Sequence, residues 1–180
     1  MNPFFVLPLL LVAALPIHAE SLVDSSRGLS AEIPEGWTLY QKGQSEAPDR
    51  FIYDFGMPKI WSKIENQDIE NAVAIMILDQ PCASLAELNA VQEKWTGDRL
   101  ISREGLITNL SDKAKKEVAN IRGLKYTARI DLFERNKTGY IIIFTATKGT
   151  YEQNLPRYLE FLKSVKVKGR SDETAPPSAK

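Results

Sequence analysis

Side chains of the kinds that usually carry out catalysis are scarce in this sequence. His18 is the one histidine and Cys82 the one cysteine among its 180 residues. Histidine is the commonest general base and metal ligand, and serine or cysteine nucleophiles usually depend on a neighbouring base. If the segment that carries His18 is removed, the chain can build neither a Ser-His-Asp nor a Cys-His pair.

The segment that carries His18 has the character of a secretory signal peptide. Phe4 to Leu15 is an apolar run of signal-peptide length, and Ile17-His18-Ala19 offers a cleavage site before Glu20. The run is too short to span a bilayer comfortably, and no later apolar run approaches spanning length. We therefore expect cleavage between Ala19 and Glu20 and a periplasmic or secreted chain without histidine. An uncleaved membrane anchor is the alternative.

Motifs for cofactors and metals are missing as well. The sequence contains no Walker-type or dinucleotide-binding glycine loop, and structural zinc would need Cys and His ligands. Glu65, Asp68 and Glu70 lack calcium-loop spacing and are expected to form a solvated acidic loop. Cys82 is expected to be a small buried residue, with a reactive thiol as the alternative. We expect no cofactor, no metal and no enzymatic activity, and a hydrolase built on carboxylates alone is the catalytic alternative.

Alternating apolar and polar residues predict the sheet that would position a binding surface. A strand is predicted at 29–33, before turn residues at 34–36, and another at 71–78, which is apolar on both faces. The stretch 124–132 alternates strictly, and with the β-branched stretch 140–147 it predicts an antiparallel hairpin with one polar face. Shorter strands are predicted at 37–40 and 51–55, and a surface loop at 41–49.

Two helices complete the predicted fold. Ser84 and Glu87 have capping-box spacing before a helical apolar pattern that Gly97 is expected to stop. A closing helix is predicted at 152–164, where Pro156 fits only in the first turn. Strands, helix, hairpin and helix in this order favour an α+β fold, an antiparallel sheet with helices packed on its apolar side.

The predicted elements form one domain and leave polar residues at the end of the chain. The domain is expected at 20–167, after a signal peptide at 1–19. The stretch 168–180 is polar and contains prolines, so a disordered tail is expected there.

Two sequence patterns and the element order resemble the PsbP-type α/β sandwich. The patterns are LSAEIPEGW at 29–37 and YEQNLPRYLEFLKSVKV at 151–167, with the amphipathic hairpin between them. This fold is shared by the extrinsic photosystem subunit P, the Ran-binding Mog-type proteins and small bacterial secreted or chaperone-like proteins. The resemblance implies a PsbP-like sandwich over about 29–167 and a binding role. It transfers no functional residue.

Charge is distributed unevenly along the chain, and two groups of residues are candidates for a partner-binding surface. Residues 20–112 carry eight basic and sixteen acidic side chains, whereas 113–180 carry fifteen and seven. A basic surface suits an anionic partner, although the two halves of one domain also neutralise each other when they fold together. The candidate partner residues are Lys113, Lys115 and Lys116 before the hairpin, Lys125 and Arg129 on its polar face, and Trp61 between Lys59 and Lys63.

Each candidate also has a purely structural interpretation. The basic residues could simply make the face soluble, and Trp61 could fill a core edge. Because the usual catalytic and cofactor-binding motifs are missing, the sequence favours a periplasmic or secreted module that binds another protein. We expect no nucleic-acid partner, and contact with lipid head groups stays an alternative. A carrier of a small ligand or lipid, with a cavity between sheet and helices, is the second hypothesis.

Overall fold

The structure, a computed structural model, describes residues 20–45, 49–100, 116–121 and 124–169, with the backbone alone at 94–100, 116–121 and 125. The described part of the chain contains two α-helices, eleven strands and one short 3-10 helix (Ser25–Arg27). The elements are β1 (Glu20–Asp24), β2 (Leu29–Ile33), β3 (Thr38–Gln44), β4 (Arg50–Gly56), β5 (Ile60–Ser62), β6 (Gln67–Ile69), β7 (Ala72–Leu78), α1 (Leu85–Leu100), β8 (Lys116–Ile121), β9 (Leu124–Arg135), β10 (Thr138–Thr147), α2 (Tyr151–Ser164) and β11 (Lys166–Val167).

A six-stranded antiparallel sheet forms the centre of the protein. Its strand order is β3-β4-β7-β10-β9-β8, so that β7 and β10 lie in the middle and β3 and β8 at the edges. A smaller antiparallel sheet has the order β1-β2-β11, and β5 and β6 form a separate hairpin. The fold is therefore α+β, as the sequence predicts.

Both faces of the central sheet are covered, each by a different helix. One face packs against α2 and the small sheet through a cluster that includes Tyr53, Ile75 and Phe144, all fully buried. The other face packs against α1, where Leu88 is fully buried. The expectation that both helices share the apolar side is wrong, because β7 and β10 offer apolar residues to both faces.

The long hairpin is confirmed, but the prediction of an exposed polar face on it is wrong. Ile130 of β9 lies in the cluster beneath α1, on the predicted apolar face. Arg129 pairs with Phe144 of β10, which stacks on Tyr158 of α2 with ring centroids 5.0 Å apart. The polar face of β9 therefore lies beneath α2, and Arg129 is only 7% exposed.

Several element boundaries differ from the predicted ones. The helix predicted to stop at Gly97 continues to Leu100, and β3 extends to Gln44 into the predicted loop. Pro156 lies in the second turn of α2, not the first. It removes one backbone hydrogen bond there, and we attribute its tolerance to the packing of α2 on the core. The sequence also suggests a short strand around Leu106, but this stretch falls outside the described residues.

Two local predictions are confirmed at the level of hydrogen bonds. The N–H of Trp37 donates to the carbonyl of Pro34 at 3.2 Å, and Gly36 between them has φ of 78°. A glycine suits this turn because its third residue needs positive φ. At α1, the Glu87 amide donates to Ser84 Oγ at 3.2 Å, and the Glu87 carboxylate accepts from the Ala83 amide at 2.7 Å. The first bond is one half of a capping box, whereas the returning bond from Glu87 goes to the amide of the residue before Ser84.

The small sheet is fastened at the end where β1 turns into β2. The Asp24 carboxylate accepts hydrogen bonds from Ser26 Oγ at 2.6 Å, the Arg27 amide at 3.0 Å and the Tyr53 hydroxyl at 2.5 Å. Partial burial opposes ionisation of Asp24, but these hydrogen bonds outweigh it and lower its pKa to about 2. The same end holds Gly169, whose amide donates to the buried Tyr140 hydroxyl at 3.1 Å. Ordered contacts thus continue beyond residue 167.

Replacing Asp24 with Asn should change how stability depends on pH. The folded-state pKa of about 2 lies below the ordinary 3.8, so the carboxylate stabilises the fold above pH 4 and ceases to do so as the pH falls toward 2. Wild type should therefore lose more unfolding free energy between pH 4.5 and 2 than Asp24→Asn does. Urea titrations at pH 4.5, 3 and 2 measure this. Asp68→Asn, at an exposed carboxylate, is the control, and equal losses in all three proteins would contradict the prediction.

Candidate binding surfaces

Of the five basic candidates for the partner surface, the structure describes the side chain of Arg129 alone. Lys113 and Lys115 lie outside the described residues. Lys116 begins β8, and its partner across the strands is Ala128 of β9. Lys125 lies near the start of β9, where the backbone alone is described. The fifth basic candidate, Arg129, is buried and cannot present its charge to a partner.

Arg129 instead belongs to a largely buried polar triad beneath α2, in which the Asp131 side chain keeps 16% of its surface exposed. Its Nε and Nη2 atoms donate to the two carboxylate oxygens of Asp131, each at 2.8 Å. The Tyr158 hydroxyl donates to the same carboxylate at 2.5 Å. Burial first, and then the adjacent Asp131 charge, raise the pKa of Tyr158 far above its usual value. Sequence alternation places Arg129 and Asp131 on one face, but it contains no signal that α2 covers that face.

Trp61 is exposed, as a partner anchor requires. It lies in β5 with 54% of its surface accessible, and Ile64 in the following turn is 66% accessible. Lys59 and Lys63 beside them are exposed too. We call Trp61 and Ile64 together the hairpin patch. The sequence analysis did not select Ile64, although an aliphatic residue inside a polar turn can indicate an exposed apolar contact.

The hairpin that carries this patch is held firmly against the body of the protein. Ser62 of β5 is fully buried, and its hydroxyl donates to the Glu65 carboxylate. The other oxygen of Glu65 accepts from the Gly149 amide at 3.2 Å, which ties the turn to the loop before α2. Ile69 of β6 is buried as well, at 3% exposure. Two large apolar side chains thus project from a fixed support.

A second candidate surface is an open groove between α2 and the turn that joins β2 to β3. It has a volume of about 430 Å³. Trp37 and Phe161 contribute aromatic rings to it, with centroids 5.0 Å apart, and Pro34 and Pro58 lie along it. We call this feature the Trp37 groove. It was missed at the sequence level because its residues come from distant parts of the chain.

The charged residues that line the Trp37 groove are mainly acidic. Glu32, Glu35 and Glu160 supply three carboxylates, whereas Arg157 is the single basic residue among the described lining residues. Within the described ranges none of the three carboxylates takes part in an ion pair. The groove is therefore apolar inside and negative at its edge.

Two further groups that could do chemistry, the Cys82 thiol and the Glu70 carboxylate, are buried or hydrogen-bonded. Cys82 is 1% exposed, and burial raises the pKa of its thiol, so the structural interpretation of this residue is supported. Glu70, from the predicted acidic loop, accepts a hydrogen bond from the Tyr40 hydroxyl. The described residues contain no cluster of three His, Cys, Asp or Glu side chains that could hold a metal ion.

Neither α1 nor α2, the helices of the described ranges, is long and apolar enough to span a bilayer.

Comparison with known proteins yields likenesses in structure but none in sequence. No protein-family model matches the chain, and no curated protein matches it in sequence. A Bacteroides thetaiotaomicron VPI-5482 protein, solved by crystallography at 1.50 Å resolution, superposes with a TM-score of 0.50 at 12% sequence identity. The match covers 87% of this chain and 50% of that one, so the chain spans about half the length of the solved protein. At this identity the likeness concerns the fold alone.

Proposed function

We propose that this protein is a periplasmic or secreted, non-enzymatic module that binds another protein through the hairpin patch. We further propose that its fold is a PsbP-like α/β sandwich, a type whose members bind partners. The six-stranded antiparallel sheet with one helix on each face supports that assignment. The leader-like residues 1–19 support export, which sequencing of the mature N-terminus would test.

The exposure of Trp61 and Ile64 on a rigid hairpin is the observation that carries the proposal. Tryptophan is among the residues that most often dominate binding energy at protein interfaces, especially when it enters a pocket on the partner. Because the Ser62, Glu65 and Gly149 contacts already fix the hairpin, little conformational entropy remains to be lost on binding. An exposed apolar pair held in this way is suited to association.

Capture from a cell-envelope extract tests the proposal with a matched control. The bait is the mature chain from Glu20, as wild type, Trp61→Ala or Leu85→Ala. Leu85 is 50% exposed and close in exposure to Trp61, but it begins α1 at the opposite end of the sheet. We expect one protein to be retained by wild type and Leu85→Ala and lost by Trp61→Ala. Equal retention by all three baits, or no reproducible retention, would contradict the proposal.

Binding to a lipid surface is the alternative to a protein partner, and a separate assay tests it. Lys59 and Lys63 next to Trp61 could also face anionic lipid, although Asp68, directly opposite Trp61 across the hairpin, weakens that attraction. Vesicles of anionic phospholipid should therefore not sediment the protein. Sedimentation that Trp61→Ala abolishes would replace the protein partner with a membrane surface.

A small-ligand carrier is the second candidate, and one cleft could serve it. A cleft of about 180 Å³ lies between β1 and β3, and Leu22, Ile33 and Phe55 line it. Ligand pockets usually measure roughly 300–1,000 Å³, so this cleft is small for a carrier. Native mass spectrometry of freshly purified protein should give the apo mass, and a stoichiometric bound mass would favour the carrier instead.

A further inference from the structure

We propose that the Trp37 groove binds a basic, extended segment of the partner protein. This inference rests on the proposed function, because it names the chemistry of a second contact made by the same partner. The groove and the hairpin patch are neighbours: Pro58 lines the groove, and Trp61 follows it by three residues. A partner seated on the hairpin patch would therefore lie beside the groove.

The interior of the groove favours a peptide over a compact ligand. Small-molecule pockets usually enclose most of their ligand's surface, whereas this groove is an open trough. Aromatic and proline side chains along an open trough are typical of surfaces that hold extended peptides, because the peptide packs on them as it passes. The walls are fixed as well, since Ser164 of α2 accepts from the Glu32 amide at 3.0 Å and so fastens the helix to β2.

The carboxylates at the edge of the groove favour a positively charged segment. Glu32 and Glu35 approach from the β2 side, and Glu160 approaches from α2. Arg157, the opposing cation, donates to Asn154 Oδ1 at 3.5 Å. Lysine or arginine side chains in the groove would meet carboxylates from two elements, and their cations could approach the rings of Trp37 and Phe161. An acidic segment would be repelled by the same edge.

Titration of isotope-labelled mature protein with two synthetic peptides tests the inference. The probes are acetyl-Lys-Ala-Lys-Ala-Lys-amide and its Glu counterpart, and the readout is the indole N–H signal of Trp37, assigned with Trp37→Phe. We expect the basic peptide to shift this signal with a dissociation constant of about 1 mM or tighter, and to bind more weakly at high salt. The acidic peptide should produce no shift.

Charge reversal within the groove supplies the matched variants. Glu35→Lys combined with Glu160→Lys should weaken binding of the basic peptide by about tenfold or more, because two attractions become repulsions. Glu93→Lys, an exposed reversal on α1, should leave binding unchanged. Unaltered binding by the double variant, equal binding of both peptides, or shifts at Trp61 in place of Trp37 would overturn the inference. Binding of spermidine without binding of the peptide would assign the groove to a small organic cation.

The peptide assay separates this inference from the proposed function. The basic peptide has no apolar anchor, so Trp61→Ala should bind it as wild type does. If the basic peptide does not bind but the partner is still captured, the inference about the groove is wrong and the proposal for the hairpin patch stands. If the peptide binds but no partner is captured, the proposal for the hairpin patch alone is wrong.

Discussion

Replacing Arg129 with Met should destabilise the protein by about 3–5 kcal/mol, the usual cost of leaving one member of a buried ion pair without its partner. The Asp131 carboxylate, which now accepts two hydrogen bonds from Arg129 at 2.8 Å, would be left beneath α2 with only the Tyr158 hydroxyl as donor. Domains of this kind are stable by about 5–15 kcal/mol, so the loss would be a large fraction of the total. Urea-induced unfolding followed by circular dichroism measures it.

Two further variants show whether the cost comes from the buried charge. Arg129→Met combined with Asp131→Leu should recover much of the lost stability, because no uncompensated carboxylate remains. Arg135→Met, at the exposed end of the same strand, should cost less than about 0.5 kcal/mol. If Arg129→Met were as mild as Arg135→Met, Arg129 would lie in solvent, and the original prediction of a basic binding face would be restored.

Replacing Trp61 with Ala should weaken binding of the partner protein about thirtyfold, which corresponds to about 2 kcal/mol. Ile64→Ala should weaken it about fivefold, because a smaller apolar surface is lost. Both side chains are mostly exposed in the free protein, so neither change should alter the unfolding free energy by more than about 0.5 kcal/mol. Isothermal titration calorimetry with the captured partner measures the affinities.

The control for this prediction lies at the far end of the sheet. The Cys82 amide donates to Lys137 at the β9–β10 turn, which places the start of α1 there, whereas Glu65 binds Gly149 beyond the other end of β10. The ten residues of β10 separate these ends by roughly 30 Å. Leu85→Ala should therefore leave affinity unchanged. A similar loss for Leu85→Ala and Trp61→Ala would indicate nonspecific apolar adhesion.

Periodicity in the sequence predicted the central elements because each has a local signal. The alternation of 124–132 with its partner strand, and the Ser84 and Glu87 cap of α1, depend on residues close together in the chain. The burial of Arg129 could not be predicted in this way. Its counterion, Asp131, is two residues away in the chain. The helix that covers both residues, α2, is distant in the sequence and reaches them only in the folded protein.

The candidate sites also differ in whether a local sequence signal predicts them. Trp61 could be selected from sequence because an aromatic between two lysines is unusual, although β5 and β6, at three residues each, were too short to predict. The Trp37 groove could not be predicted at all. Its residues Pro34, Pro58 and Glu160 meet only after β2, β4 and α2 have packed together.

Hydrogen exchange of the protein with and without its bound partner tests the central claim most directly. If the hairpin patch is the anchor, amides at 60–69 should exchange more slowly in the complex, and amides at 85–93 of α1 should be unchanged. Protection of other segments, with 60–69 exchanging as in the free protein, would contradict binding through the hairpin patch.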